Sequence, residues 1–334
     1  MPRIVQLYRT GGPEELRLEE APPAEPGSGE VRLTVQAIGL NNSEAQLRRG
    51  DYPMGTAHFP TRIGRECSGF VAAIGAGVVG VEVGDEVSTI PAFDVQRNGV
   101  YGEWAIVPVE ALAKVPSCLN RLEAAAVWQP YLTAYGPFVE HTRLQRSDTV
   151  LITAAASSVG RAAMQVARLF GCRIVATTRS TEKRKTLEAD ADRVVVGGED
   201  LIEAVMTVSE GRGASLVFDP IAGPGLGALA EATKPGGLIV EYGQLAVEPT
   251  PFPLLTCLRK GLVIRGYTLW EITRDSVRRE RAKQWIHDRL AAGELRPTID
   301  RVFPFDRIVD AHRYLETGKQ TGKIVIDVAA GARQ

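Results

Sequence analysis

Only four cysteines occur in 334 residues, Cys67, Cys118, Cys172 and Cys257, and they lie far apart with no C-x-x-C pair. That excludes a disulfide-stapled scaffold and a zinc finger, and isolated thiols in an ordinary interior are the plain reading. The four histidines, His58, His141, His287 and His312, form no H-E-x-x-H, and neither G-x-S-x-G nor a P-loop Gly-Lys-Ser/Thr is present. Several hydrolase and NTPase classes drop out. Neither charge is in excess: 39 Lys plus Arg stand against 40 Asp plus Glu, a formal net charge of -1. No overall positive field exists to attract nucleic acid or acidic lipid, and no basic stripe interleaved with aromatics supports nucleic-acid binding. Long apolar runs are missing too. The most apolar window, residues 150–170, is interrupted by Ser157, Ser158, Arg161 and Arg168, too polar to cross a bilayer. The segment Met1-Pro-Arg-Ile-Val-Gln-Leu-Tyr-Arg alternates like a strand and has no signal-peptide core or cleavage site. The expectation is a cytoplasmic protein without a membrane span or a nucleic-acid partner.

What is present suggests two domains, since 334 residues at the usual 100 to 200 per domain leave ample length for separate cores. The first 120 or so residues read as period-2 segments punctuated by Gly and Pro, at 3–8, 15–20, 31–38, 68–83 and 101–107, an all-β texture. Ala21 to Gly29 is a Pro/Gly-rich loop. From Glu123 onward helical stretches alternate with short, almost wholly apolar runs at 149–153, 173–177, 193–196, 215–219, 238–242 and 262–266. Strands apolar on both faces and joined by helices are what a parallel sheet covered on both sides requires, and six of them make a doubly wound sheet. Beyond it, residues 278–292 read as a charged helix, 299–303 and 323–327 as strands, and 305–316 as another helix.

The first apolar run leads into Ala154-Ala-Ala-Ser-Ser-Val-Gly160 and then a helix, the setting of a dinucleotide-binding turn. Against G-x-G-x-x-G the three glycine positions hold Ala155, Ser157 and Gly160, so the heptapeptide alone reads equally as an ordinary strand-to-helix turn. Small side chains, with Ser158 and Val159 between them, still let a pyrophosphate approach backbone N–H groups at the helix start. The second run ends in Thr178-Arg-Ser-Thr-Glu-Lys183, where an NAD site places Asp or Glu on the ribose hydroxyls. No carboxylate occupies the strand end. Thr178, Arg179, Ser180 and Lys183 instead offer hydroxyls and cations suited to a 2′-phosphate, and NADP(H) is expected over NAD(H). The plain alternative is that Arg179 and Lys183 sit on a polar helix start.

Three further segments carry a family resemblance: Gly64-Arg-Glu-Cys-Ser-Gly69 for G-H-E-x-x-G, Gly84-Asp-Glu-Val87 for G-D-x-V, and Gly99-Val-Tyr-Gly-Glu-Trp104 for a G-x-x-A-E-Y-like strand. Over nearly its whole length the chain resembles the medium-chain dehydrogenase/reductase superfamily. The resemblance implies an α/β protein with a GroES-like β domain (1–126 and 272–334), a Rossmann NADP(H)-binding domain with a six-stranded parallel sheet (127–271), and an active site in the cleft between them. Zinc members bind the catalytic metal through a Cys aligned near Gly39 to Glu44 and through the His of G-H-E-x-x-G. Here those places hold Asn41 and Arg65, and a guanidinium cannot ligate zinc. The structural-zinc lobe is also missing between Val87 and Gly99. The chain therefore resembles the zinc-free quinone oxidoreductase branch, in which Asn41 and Tyr52 match active-site residues and Thr133, within Leu132-Thr-Ala-Tyr135, matches the contact to the nicotinamide carboxamide. Tyr242 and Gly243, at the end of the fifth apolar run, complete the expected cofactor contacts.

These features give an expected NADPH-dependent reductase that passes hydride to quinones or α,β-unsaturated carbonyl compounds without a metal. An enoyl-thioester reductase of a biosynthetic pathway and a non-catalytic NADP(H)-binding protein are the alternatives. A homodimer is expected from the resemblance, with residues 262–268 as the joining edge strand.

Overall fold

A computed structural model describes residues 1–197 and 199–332. The chain divides into two compact units, one built from Met1–Gln129 with Arg279–Gln334, the other from Pro130–Arg278. The first unit begins with β1 (Arg3–Leu7), β2 (Leu16–Glu20), β3 (Glu30–Gly39), β4 (Glu66–Ile74), β5 (Glu86–Thr89), β6 (Trp104–Pro108) and β7 (Leu112–Lys114). The second carries β8 (Thr149–Ile152), β9 (Arg173–Thr178), β10 (Arg193–Val196), β11 (Ala214–Asp219), β12 (Thr233–Glu241) and β13 (Val263–Gly266). The returning chain adds β14 (Ile299–Pro304) and β15 (Lys323–Asp327) to the first unit.

In the second unit the strands pair in the order β10-β9-β8-β11-β12-β13, all parallel. This order follows from the alternation of apolar runs and helices. The chain starts centrally at β8, winds outward to β10, and returns to wind the other way from β11. Helices on both faces explain why Val150, Leu151, Ile152, Ile174, Val175, Val217 and Phe218 are all fully buried. The Ser158–Leu169 helix buries Ala162, Ala163, Met164, Val166 and Ala167, the small residues letting it lie close to the sheet. The reversal of winding between β8 and β11 leaves a crevice at their carboxyl ends, the place where such sheets bind ligands.

The first unit holds a two-stranded β1-β2 ribbon and a seven-stranded sheet ordered β14-β15-β3-β4-β5-β7, with β6 paired to β3. The expected strand over 68–83 is corrected: β4 ends at Ile74, and the alternation continues only through a loop in which Val79 is 81% and Val83 63% exposed. β5 begins after that loop, and the short β7 had no pattern long enough to announce it. No helix among the described residues is long and apolar enough to cross a membrane.

Candidate functional site

Every expected cofactor residue of the second unit except Thr133 lies on three turns or strand ends at one edge of its sheet. After β8, Ala154 adopts a left-handed φ of 45°, and the N–H of Ala155 donates to the Thr177 carbonyl at 3.1 Å, tying the turn to β9. Ser157 caps the next helix, its hydroxyl accepting from the Gly160 N–H at 3.0 Å. The N–H groups of Ser158 and Val159, in the first turn, have no intrahelical acceptor, the property by which a helix start binds an anion. A Cβ at Gly160 would meet the Ala155 Cα and carbonyl oxygen at 2.6 Å, so only glycine permits this close helix-to-turn contact. The chemistry of this turn fits a pyrophosphate despite its departure from the glycine fingerprint.

β9 ends at Thr178, whose hydroxyl accepts from the Ser180 N–H at 3.2 Å; Arg179 is exposed, and Lys183 closes a single helical turn half-buried. Thr133 lies buried in the Trp128–Tyr135 helix. Tyr242 follows β12 directly, its ring stacked on Phe218 with centroids 4.0 Å apart, and Gly243 continues the turn. The Tyr242 hydroxyl is buried; burial and the Asp219 charge push it up, and the Ser157 side chain opposes that.

Beside these residues lies a pair that pattern reasoning missed. Asp219 and Glu241 end β11 and β12 and face each other in register. Asp219 is fully buried; one oxygen accepts from the Thr153 hydroxyl and the other from the Ala222 N–H at 2.7 Å. Both Glu241 oxygens are buried without a hydrogen-bond partner. Burial and the facing Asp219 carboxylate push the Glu241 carboxyl up to about 9. A sequence signal existed: both acids sit inside otherwise apolar runs whose two faces must be covered, where a charge needs a reason.

In the first unit, Asn41 begins the Asn42–Arg49 helix as its N-cap, with Glu44 at the third helical position reaching back to the Asn41 N–H at 2.5 Å. The Asn41 carboxamide is engaged on both sides. Its Oδ1 accepts from Lys323 Nζ at 2.6 Å, and its Nδ2 donates to Glu44 Oε1 at 3.2 Å. Lys323, at the start of β15 and only 1% exposed, also donates to Glu66 Oε2 at 2.5 Å, and Glu66 Oε1 accepts from the Gln129 N–H at 2.9 Å. The backbone of Arg65 donates to Glu44 Oε1 at 3.2 Å, and its guanidinium donates to the Ser43 hydroxyl at 3.2 Å. That guanidinium lies over the half-buried Tyr52 ring, 5.3 Å from its centroid. Asn41 and Tyr52 thus belong to one cluster, joined through Glu44 and Arg65. Gly39 makes room for it: a Cβ there would strike the Ala125 carbonyl oxygen at 2.0 Å and Lys323 Cε at 2.7 Å.

The cluster balances two carboxylates with two cations. Burial raises the Glu44 carboxyl, opposed by the nearby charges of Arg65 and Lys323 and by the Asn41 hydrogen bonds. These residues do not suit a zinc ion: an amide and a guanidinium stand at the expected ligand places, and the Lys323 ammonium occupies the space between Asn41 and Glu66. Among the described residues no three His, Cys, Asp or Glu gather as a metal-binding group. Cys67, next to Glu66, is buried and its thiol is pushed up to about 12, so it is inert at neutral pH.

Residues 27–117 match the alcohol dehydrogenase GroES-like domain family, and residues 189–326 match a family described as zinc-binding dehydrogenase. A solved NAD-dependent alcohol dehydrogenase is 30% identical with a TM-score of 0.86, the alignment covering 98% of this chain and 99% of that one. A mycobacterial protein solved in complex with NADPH is 27% identical with a TM-score of 0.87, covering 98% and 99%. The quinone oxidoreductase of Pseudomonas aeruginosa is 28% identical over 98% of this chain and 99% of its own. A phenolphthiocerol/phthiocerol polyketide synthase of Mycobacterium tuberculosis is 30% identical over 97% of this chain, which spans only 15% of that much longer protein. With its two-unit architecture, its parallel six-stranded sheet and these full-length similarities, the chain belongs to the medium-chain dehydrogenase/reductase superfamily of NAD(P)H-linked oxidoreductases, in the quinone oxidoreductase-like branch.

Proposed function

We propose that the protein is an NADPH-dependent reductase that transfers hydride to quinones or α,β-unsaturated carbonyl compounds without zinc. The observation that carries this reading is the Asn41–Lys323–Glu66 and Arg65–Tyr52 cluster, which sets an amide, a guanidinium and an ammonium around the two positions that the resemblance matches to zinc ligands. Without a Lewis acid to lower an alcohol's pKa, alcohol oxidation loses its main assistance, whereas reduction of an already electrophilic carbon does not need it. The nicotinamide, when bound, supplies the hydride.

The chain's own residues then divide the work. Arg179 and Lys183, with the hydroxyls of Thr178 and Ser180, hold the 2′-phosphate. The turn from Ala155 through Ser157 to Gly160 holds the pyrophosphate. Thr133, Tyr242 and Gly243 orient the nicotinamide end. Tyr52 hydrogen-bonds the acceptor oxygen and gives its proton to the oxyanion that hydride addition creates, and solvent restores that proton. Asn41, expected from its matching position to hydrogen-bond substrate or cofactor, has its carboxamide taken up by Lys323 and Glu44, and its role is instead positioning, holding these so that Arg65 stays packed on the Tyr52 ring.

The quinone oxidoreductase relative and the NADPH complex of a neighbour support this reading. A second reading, reduction of an enoyl thioester, is favoured by the similarity to a polyketide synthase. Purified protein assayed for NADPH oxidation against a panel of quinones, enones and enoyl thioesters separates the two; no turnover with any of them would leave an NADP(H)-binding protein.

The same reading extends to a homodimer. Phe252, Leu254, Leu255 and Leu258 are 54–78% exposed on and before the Leu254–Lys260 helix, which leads into the edge strand β13, whose Val263 is 53% exposed. A contiguous apolar face beside an open strand edge is what a second copy would cover across a two-fold axis. Light scattering at micromolar concentration is expected to give the dimer mass, and a monomer would contradict it.

A further inference from the structure

We propose that Asp219 and Glu241 share one proton at neutral pH, and that this neutral, hydrogen-bond-donating Glu241 makes the dinucleotide face of the second unit competent to bind its ligand. The sharing is argued from the unit's own geometry; its consequence for NADPH rests on the function proposed above.

Two carboxylates at the ends of adjacent parallel strands, in register, cannot both ionise in a buried setting without a cation between them. The groups facing Glu241 offer none. Asp219 on β11 is its partner in register, Tyr242 follows it just beyond the strand end, and Thr153 hydrogen-bonds Asp219. On β13 the partner is Gly266; Arg265 pairs with Val240, one step along, and its guanidinium is bound to Glu271 at 2.6 Å.

The hydrogen bonds fix which acid carries the proton. Asp219 already accepts from Thr153 and from the Ala222 N–H, both of which favour its charged form. Glu241, written as a carboxylate, finds no donor for either oxygen. Written as a carboxylic acid, it has an acceptor beside it in Asp219 and a carbonyl oxygen to spare. Burial and the facing charge act in the same direction, raising Glu241 to about 9. The buried Tyr242 hydroxyl adjoins it in sequence and is raised by burial and by the Asp219 charge. Loss of the proton would place two negative charges beside the turn that is to receive an anionic dinucleotide.

The sign of the pH dependence follows. A carboxyl raised in the folded state holds its proton more tightly folded than unfolded. Its contribution to stability is therefore fully present below the unfolded value near 4.3, declines as pH rises towards about 9, and is gone above that. Glu241→Gln removes the slope while keeping a neutral donor.

The test compares the full-length protein with E241Q between pH 6 and 10.5 in two measurements, thermal unfolding without ligand and NADPH binding by fluorescence titration. E241Q is expected to melt higher, by a margin that widens with pH and levels off near 9. Wild-type NADPH affinity is expected to weaken about ten-fold per pH unit above the midpoint, with E241Q flat over the same range. A melting difference that is constant with pH overturns the shared proton, and parallel weakening of NADPH binding in both proteins overturns its role in binding. If the wild type fails to bind NADPH at neutral pH, the function reading fails, while the melting comparison still decides the proton. Should E241Q not accumulate folded, infrared difference spectra of the wild type replace it. A protonated-carboxyl band at neutral pH that vanishes through about 9 supports the assignment, and its absence overturns it.

Discussion

The two units each bury a pair of carboxylates and neutralise them by different means. In the first unit Glu66 and Glu44 are met by Lys323 and Arg65, cations supplied by the chain itself. In the second, Asp219 and Glu241 face each other, with two hydrogen-bond donors on Asp219, and the compensation we propose is a proton from solvent. Both satisfy the rule that a buried charge must be compensated. The second arrangement depends on a proton that is lost as pH rises through about 9. A built-in ammonium or guanidinium fixes the field of a site, whereas a borrowed proton leaves it adjustable.

The contrast is broken most forcefully by removing the cation. Lys323→Met leaves Glu66 buried without its partner and is expected to cost about 3–5 kcal/mol, read as a drop in the denaturant midpoint. The double variant K323M/E66Q should recover most of that loss, because no unpaired charge then remains. Neutralising an acid in the second unit, as in E241Q, is expected to do the opposite and raise stability. Next in size, Tyr52→Phe should lower turnover on the best acceptor by about 10²-fold or more with NADPH affinity nearly unchanged. Full turnover, with a deuterated-cofactor isotope effect showing chemistry to be rate-limiting, would make Tyr52 a wall of the pocket and water the proton source. The smallest expected effect concerns the exposed Arg179. Arg179→Ala should weaken NADPH by about ten-fold while leaving NADH almost unaffected, and equal losses for both cofactors would contradict the 2′-phosphate assignment.

How far these features are legible in the sequence differs between the units. The doubly wound sheet is plain in the text, because strands such as 149–152 and 215–219 are apolar on both faces and announce themselves locally. The Ser157 cap and the Gly160 contact are likewise local, three to six residues from their partners. The antiparallel unit is harder to read. The alternation of β4 runs on into an exposed valine-bearing loop, and β7 has only three residues. The buried clusters are written in pairs that no local window spans: Lys323 reaches Asn41 across 282 positions and Glu66 across 257. Asn41, Arg65 and Tyr52 are marked by family pattern, but Lys323 reads only as the first residue of an apolar strand. Glu241 reads as the one polar interruption of another. What gives each a meaning is the neighbour that folding brings to it.

The central claim is metal-free hydride transfer from NADPH to an electrophilic acceptor. The most direct measurement is NADPH oxidation with the best quinone or enone of the panel, on protein whose metal content has been determined by elemental analysis and which has been assayed before and after exhaustive chelation. The account predicts turnover that is unchanged by chelator in protein lacking stoichiometric zinc. Stoichiometric zinc, with activity lost on chelation and restored by adding zinc back, would contradict it.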